Sequence, residues 1–520
     1  MNQQSVYTLL YFGTQHSEQN GEFSLPDYLP DVRRVLRVTA APRVTGKFMN
    51  GERLELEGEV GMTLLYLSEE NTVCAFSAAL PYAQSIAVAG LDETAVITAK
   101  LQTDSAACRL TGPRKCVFRA RCALTVRAAA AQPTAPDTTA LTNSEQAALC
   151  TYTEPYTASA LTCLSKPDLR YAEDLPLDDG VIQTVLSCEV TPIVKECRVS
   201  SGHIVCRGEF DITAFCAVGD GTQVRCQTLH HRAPFTETFE ADAVTDDGVC
   251  EPDITVTAVS PTVTEEGRNL GVDFVCDAAV ICASEHTIPV ITDVFLPHRD
   301  IALQKRQFTL YRPLKTVSGA FSAAAVLKTD PQDAVTAVAD IRMRARCEHT
   351  ECRDGRIHIE GTLDISLIVS CADGKYMPVT GTVPLQWDTD AAPLKDPDSL
   401  LCLCDLYVTG FTARPDTAGS IACDAEIAVF LSAAARTPCQ LPHAIVSVGE
   451  NAQTAPPPTE PLVLCYPEKG ERVWDIAKHY RIPPELLCRI NHLDEHADSA
   501  LIPGQPLLIP IHPQLAQMIS

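Results

Sequence analysis

Cysteine is the residue type in this chain with the most chemical potential: there are 23 among 520 residues. The closest pairs are Cys347-x4-Cys352 and Cys402-x-Cys404, and neither has the spacing of a zinc ribbon. The total lies below the density that marks a disulfide scaffold. Cys206 and Cys216 fall on the apolar side of an alternating stretch, where a free thiol acts as a small hydrophobe. Buried, reduced thiols are therefore expected, with metal or redox chemistry as the other reading, and no metal site or cofactor is assigned. The 13 histidines are scattered. The adjacent pair His230-His231 precedes Arg232 and reads as a solvated loop. Asp178-Asp179-Gly180 and Asp246-Asp247-Gly248 hint at calcium loops but lack the ligand spacing of one, so they read as turns. No nucleophile elbow, HExxH, phosphate loop or dinucleotide fingerprint occurs. No catalytic residue is nominated, and a non-enzymatic protein is expected.

The elements that hold these residues are organised by a stretch that occurs three times. Arg53–Leu67 places Leu54, Leu56, Val60, Met62, Leu64 and Tyr66 on one parity and Arg53, Glu55, Glu57, Glu59 and Thr63 on the other. That period of two predicts a long strand with one buried face. Gly58 interrupts the apolar row, as a bulge or a close backbone approach requires. His203–Val218 repeats the pattern around Gly208, and Arg356–Ser370 around Gly361, at intervals of about 150 residues. Each copy follows a turn pair, Asn50-Gly51, Ser201-Gly202 or Asp354-Gly355. Each precedes a second turn signal, at Asn71, Gly221 or Gly374. Three matched registers are internal repeats.

Each repeat closes with two further alternating stretches, in which Cys122, Cys276 and Cys423 take similar places. About five or six strands per unit predict a mainly β chain: three antiparallel sandwich or open-barrel domains, at 1–131, 132–290 (with an irregular lead-in) and 291–435. Ala128–Asp168 and Leu310–Val338 contain helix-compatible residues, and the latter is expected to be partly helical. Residues 436–461, ending in consecutive prolines, read as a semi-rigid linker.

Bulk composition narrows the partners. A 46% hydrophobic content is ample for several cores, while a net charge of -25 argues against nucleic acid or an anionic membrane as principal partner. The charge suits solubility or a basic protein partner. No signal peptide and no stretch long enough to span a bilayer is visible, so the chain is expected in the cytosol.

Beyond the linker, residues 462–511 follow a different grammar. A short strand, two helices (the second opened by Pro483-Pro484) and a last strand give a βααβ order. Gly470, Glu471, Val473 and Trp474, then Ile476-Ala477, Ile490-Asn491 and Ile502-Pro503-Gly504-Gln505 resemble the LysM module at the family's spacing. Arg472 departs from it, since a small hydroxyl residue is usual there and would satisfy free N–H groups at the helix start. The resemblance implies a shallow groove lined by Gly470, Glu471, Arg472, Val473, Trp474, Ile502, Pro503, Gly504 and Gln505. In the family such a groove binds N-acetylglucosamine-containing glycans. A protein ligand is the favoured occupant here, with glycan or a lipid-linked glycan precursor as the alternative and core packing of Trp474 and Ile476 as the plain one.

Leu29–Leu36 (LPDVRRVL), Glu57-Gly58-Glu59-Val60 and Leu80-Pro81-Tyr82, followed by a LysM-like tail, resemble the SPOCS-domain coat morphogenesis proteins of endospore-forming bacteria. Ile182-x-x-Val185-Leu186 echoes Val32-x-x-Val35-Leu36, while the third copy is weaker before Ile341. The resemblance implies a scaffold in the mother-cell cytoplasm at the forespore surface. Its LysM module would dock the coat basement-layer ATPase, and its β repeats would recruit other coat proteins. LysM modules also ride on wall hydrolases, but residues 1–461 read as repeats and linker and leave no room for a catalytic domain. Which repeat meets which partner, and whether the chain self-associates, stay open.

Overall fold

A computed structural model describes residues 5–200, 202–219, 224–241, 244–297, 299–330, 335–390, 400–415, 419–448, 462–493 and 501–510. The turn signal at Gly221 lies outside them. Eighteen long strands form three sets of six. Repeat 1 comprises β1 (Ser5–Ser24), β2 (Val32–Asn50), β3 (Arg53–Ser68), β4 (Val73–Ala87), β5 (Val96–Gly112) and β6 (Lys115–Pro133). Repeat 2 comprises β7 (Cys150–Pro176), β8 (Val181–Ser200), β9 (His203–Gly219), β10 (Val224–Glu240), β11 (Val249–Thr264) and β12 (Asn269–Phe295). Repeat 3 comprises β13 (Ile301–Lys328), β14 (Val335–Arg353), β15 (Arg356–Cys371), β16 (Tyr376–Asp390), β17 (Leu400–Pro415) and β18 (Ser420–Val448).

Within each set, strands two to four make one antiparallel sheet, and strands five, six and one make another. The two sheets face each other across an apolar core, so each unit is a sandwich. The parity of the organising strand sets that core: Leu54, Leu56, Val60, Met62 and Leu64 are fully buried, packed with Phe118, Cys122 and Leu124 of the facing sheet.

The three glycines sit in matching surroundings. Gly58, Gly208 and Gly361 lie opposite Val44, Val194 and Cys347, each at a bulge of the preceding strand. A Cβ on any of them would lie well inside 3.0 Å of a carbonyl oxygen, that of Arg43, Ile193 or Arg346 respectively. The glycine is therefore a close backbone approach, as its place in the apolar row requires. Two earlier bulges also recur at equal distances from the glycine: Val32/Arg34 and Val35/Arg37, Ile182/Thr184 and Val185/Ser187, Val335/Ala337 and Val338/Asp340. Val335-x-x-Val338 is thus the third copy of the motif, weak in sequence before Ile341 but matched in its bulges.

Other expectations are revised. Leu310–Lys328 is strand throughout, not helix, because its backbone groups pair with β18 along their length. Between β6 and β7 the one helical piece is α1, Asn143–Ala148, opened by Thr142. The segment read as linker starts within β18, where Arg436–Val448 pairs with Ile301–Tyr311; 449–461 lie outside the described residues. The bulges place Ile427, not Cys423, level with Cys122 and Cys276.

Equivalent residues of all three repeats converge, which arranges them about a pseudo-threefold axis. Leu36, Leu186 and Ala339 meet Leu65, Phe215 and Ile368 in one cluster. Arginines close the circle. Arg43 of repeat 1 donates to the carbonyl of Thr257 in repeat 2, Arg232 of repeat 2 to that of Thr409 in repeat 3, and Arg346 of repeat 3 to that of Asp104 in repeat 1. Thr257, Thr409 and Asp104 are the bulge residues of β11, β17 and β5. The bulge turns a carbonyl out of the ladder, and that carbonyl becomes the acceptor for the next repeat. A single bridge, Thr8 to Leu310, also joins β1 to β13.

Candidate docking site

The C-terminal module forms β19 (Leu462–Cys465), α2 (Val473–Tyr480), α3 (Pro484–Ile490) and β20 (Leu507–Pro510). Val473, Ile476, Ala477, Leu487 and Ile509 fill its core. The Asn491 side chain ties α3 to β20, donating to the carbonyls of Leu487 and Leu508 and accepting from the Leu508 amide at 2.7 Å. The two loops of the predicted groove are bonded to one another: Leu501 N donates to Glu471 O at 3.3 Å and Gly504 N to Pro467 O at 3.4 Å. Gly470 and Gly504 hold left-handed backbone with φ of 94° and 82°, and no atom lies within 4 Å of where their Cβ would be. Their backbone is thus open to an approaching ligand. Ile502 at 67%, Tyr466 at 61% and Leu464 at 57% exposure leave an apolar surface beside these loops.

The N-terminal half of α2 faces the other way, onto repeat 2. The Trp474 ring is buried against Tyr152 and Phe295, with centroids 5.2 and 4.9 Å away, and its indole N–H donates to Asp293 at 2.9 Å. Lys478 pairs with the same carboxylate at 2.5 Å. Burial pushes the pKa of Asp293 up, but hydrogen bonds from Lys478 and Trp474 outweigh it and hold the group below its ordinary value. Arg472 bonds the Tyr152 hydroxyl and lies over its ring, 5.1 Å from the centroid, and it reaches Glu154 at 3.4 Å; Arg481 pairs with Asp300. The departure from the family at Arg472 thus has a structural partner. The Arg472 side chain makes no cap bond; the Asp475 amide donates to Arg472 O at 3.1 Å, and the Asp475 carboxylate accepts from Arg472 N at 2.9 Å.

Of the predicted groove residues, Gly470, Glu471 and Ile502–Gln505 line the outer loops, while Arg472 and Trp474 are engaged by repeat 2 and Val473 is core. Tyr152, Asp293 and Phe295 went unnoticed in the sequence, since nothing in their spacing marks them as partners of a distant helix.

The remaining candidates are placed as follows. His230, His231 and Arg232 lie on β10 and line a cleft of about 580 Å³ with Thr228, Thr409, Gly410 and Phe411, between repeats 2 and 3. They are tied down, His230 and Arg232 to Asp211 and His231 to Glu173 at 3.3 Å. Gly180 turns with φ of 97° and Asp246-Asp247 are a turn. Among the described residues no disulfide joins two cysteines and no cluster suited to a metal ion occurs. No helix among them is long and apolar enough to cross a membrane.

Comparison with protein families finds the SipL, SPOCS domain at residues 181–264 and the LysM domain at residues 468–510. The first span is β8 to β11 of repeat 2, and repeats 1 and 3 share its strand order and bulges. No curated protein and no solved structure matches the chain. Both families are binding or scaffold domains rather than catalytic ones, and the first belongs to sporulation. The chain carries a SPOCS domain of the SipL kind within a β-repeat assembly and a LysM domain beyond it, a combination that fits a spore coat scaffold.

Proposed function

We propose that the chain is a non-enzymatic adaptor in coat assembly, working in the mother-cell cytoplasm at the forespore surface. The three β units, β1–β6, β7–β12 and β13–β18, recruit coat proteins, and the LysM module docks the basement-layer ATPase. The observation that carries this reading is the orientation of the LysM module. Its α2 face is seated on repeat 2, leaving the Gly470 and Gly504 loops with Tyr466, Leu464 and Ile502 outward. A rigid mount with one free face suits a docking element, because less freedom is lost when the partner binds. A pull-down of the ATPase by the full chain, by a 1–455 truncation and by Ile502→Asp tests it. Retention by the truncation defeats the assignment, and loss with Ile502→Asp supports it.

A second reading is favoured by the two open glycines, whose exposed backbone suits the N-acetyl group of an N-acetylglucosamine-containing glycan. Binding of chitooligosaccharide to the full chain, abolished by Gly504→Val, would favour that reading over protein docking.

A further inference from the structure

Inside each repeat the two sheets adjoin along strands two and five without sharing a ladder: β8 beside β11 in repeat 2, β14 beside β17 in repeat 3. Thiols meet across both seams. In repeat 2 four cysteines run in file. Cys206 and Cys197 are direct cross-strand partners on β9 and β8, Cys250 and Cys282 are direct partners on β11 and β12, and all four share one apolar cluster. The Cys250 and Cys282 sulfurs are 3.3 Å apart, and Cys197 adjoins Cys250 across the seam within that cluster. In repeat 3, Cys347 on β14 and Cys404 on β17 adjoin within another shared cluster. Repeat 1 has Lys47 and Ile97, and Val44 and Ala99, at the corresponding positions, so its seam holds no such pair.

We propose that Cys197 with Cys250, and Cys347 with Cys404, are disulfide-forming sites, oxidised by a hydroperoxide, that staple the two sheets of repeats 2 and 3 across their open seams. Cys197 is half-buried beside the buried Cys250, and Cys347 and Cys404 are both half-buried, so each pair has a reachable thiol. The sulfur whose pKa is lowered, Cys250 in repeat 2 and Cys347 in repeat 3, attacks the peroxide oxygen as thiolate, breaking the O–O bond and giving a sulfenic acid and, after protonation, water or an alcohol. The partner thiolate then attacks that sulfur and displaces hydroxide, which takes up the thiol proton. Two thiols and one hydroperoxide thus yield one disulfide, one water and one alcohol (a second water where the oxidant is hydrogen peroxide). Hydrogen bonding from Cys404 lowers the pKa of Cys347, aided by Lys100 of repeat 1, which is held nearby by its ion pair with Asp405.

The test uses the full-length chain, reduced and then treated with hydrogen peroxide, denatured in alkylating agent, digested and mapped by mass spectrometry. Peptides linking Cys197 to Cys250 and Cys347 to Cys404 are expected, with four thiols lost and a rise in the urea midpoint that dithiothreitol reverses. Cys250→Ala with Cys404→Ala should lose both links and the rise while keeping the reduced protein's midpoint near that of wild type. Recovery of these four thiols fully alkylated overturns the proposal. So does a link confined to Cys250 and Cys282, which would leave the seam open, or linkage only between chains.

Discussion

Arg37 and Asp340 form a buried ion pair across 303 positions of sequence, and they occupy the same bulge in repeats 1 and 3. Their side chains are 4% and 0% exposed, and the equivalent bulge of repeat 2 presents Ser187, which accepts from Arg342 at 3.4 Å. Ser366 and Thr228 complete the partners, so each polar group at the meeting point of the repeats is satisfied by another repeat. Each of the three follows a bulged residue and pairs in its ladder with Leu65, Phe215 or Ile368, and pseudo-threefold packing directs them at one another.

Removing one member of this pair should be far more damaging than replacing both. Arg37→Ala leaves Asp340 buried without its main donor and should cost about 3–5 kcal/mol. Arg37→Met with Asp340→Leu should lose much less, since apolar side chains suit the surrounding cluster. Urea unfolding of the two variants checks this. Equal losses would show that the pair does not anchor the repeats.

Acid should loosen the assembly at two points together. Asp340, although burial raises it, is held below its ordinary pKa by Arg342 and Arg37. Glu251 is likewise raised by burial but held down by Arg127, with Ser432 and Tyr311 also bonded to it. A carboxylate with a depressed folded pKa contributes stability that is complete above its unfolded value and fades as pH falls through the folded one. Stability should therefore be flat from neutrality to about pH 4 as far as these groups are concerned, and fall below it. Urea midpoints against pH check this, and the fall should be shallower in Asp340→Asn than in wild type.

The repeated glycine should not tolerate a methyl group. Gly361→Ala drives a Cβ into the Arg346 carbonyl and should cost about 1–3 kcal/mol. Gly61→Ala, three residues from Gly58, meets nothing nearer than 3.6 Å and should fall within about 0.5 kcal/mol of wild type. Thermal or urea unfolding separates them.

The LysM mount should depend on repeat 2. Asp293→Asn weakens the acceptor shared by the Trp474 indole and the Lys478 ammonium and should loosen the contact by about 1.5–3 kcal/mol. Faster amide hydrogen exchange in β7 and β12 beneath the module, with β19 and β20 unchanged, is the expected signature. Unaltered exchange there would remove the fixed orientation on which the docking proposal relies.

Local structure was legible in the sequence because it is written at short range. The parity of Arg53–Leu67 and its two copies, the Asn50-Gly51 and Asp354-Gly355 turns, and the LysM landmarks each depend on neighbours a few residues away, and each reappears in the fold. Leu310–Lys328 misled because its run of alanines is compatible with helix, and only pairing with β18 makes it strand.

Alternation and turn chemistry along the chain specify a β-rich protein built in triplicate with a small βααβ tail. How the copies close on one another and where the tail sits come from long-range packing. Arg37, Ser187 and Asp340 share a position but not a chemistry, and no pattern links Trp474 to Asp293. The worth of a charge or an indole N–H depends on what long-range packing brings to it once water is gone, and periodicity along the chain carries no record of that.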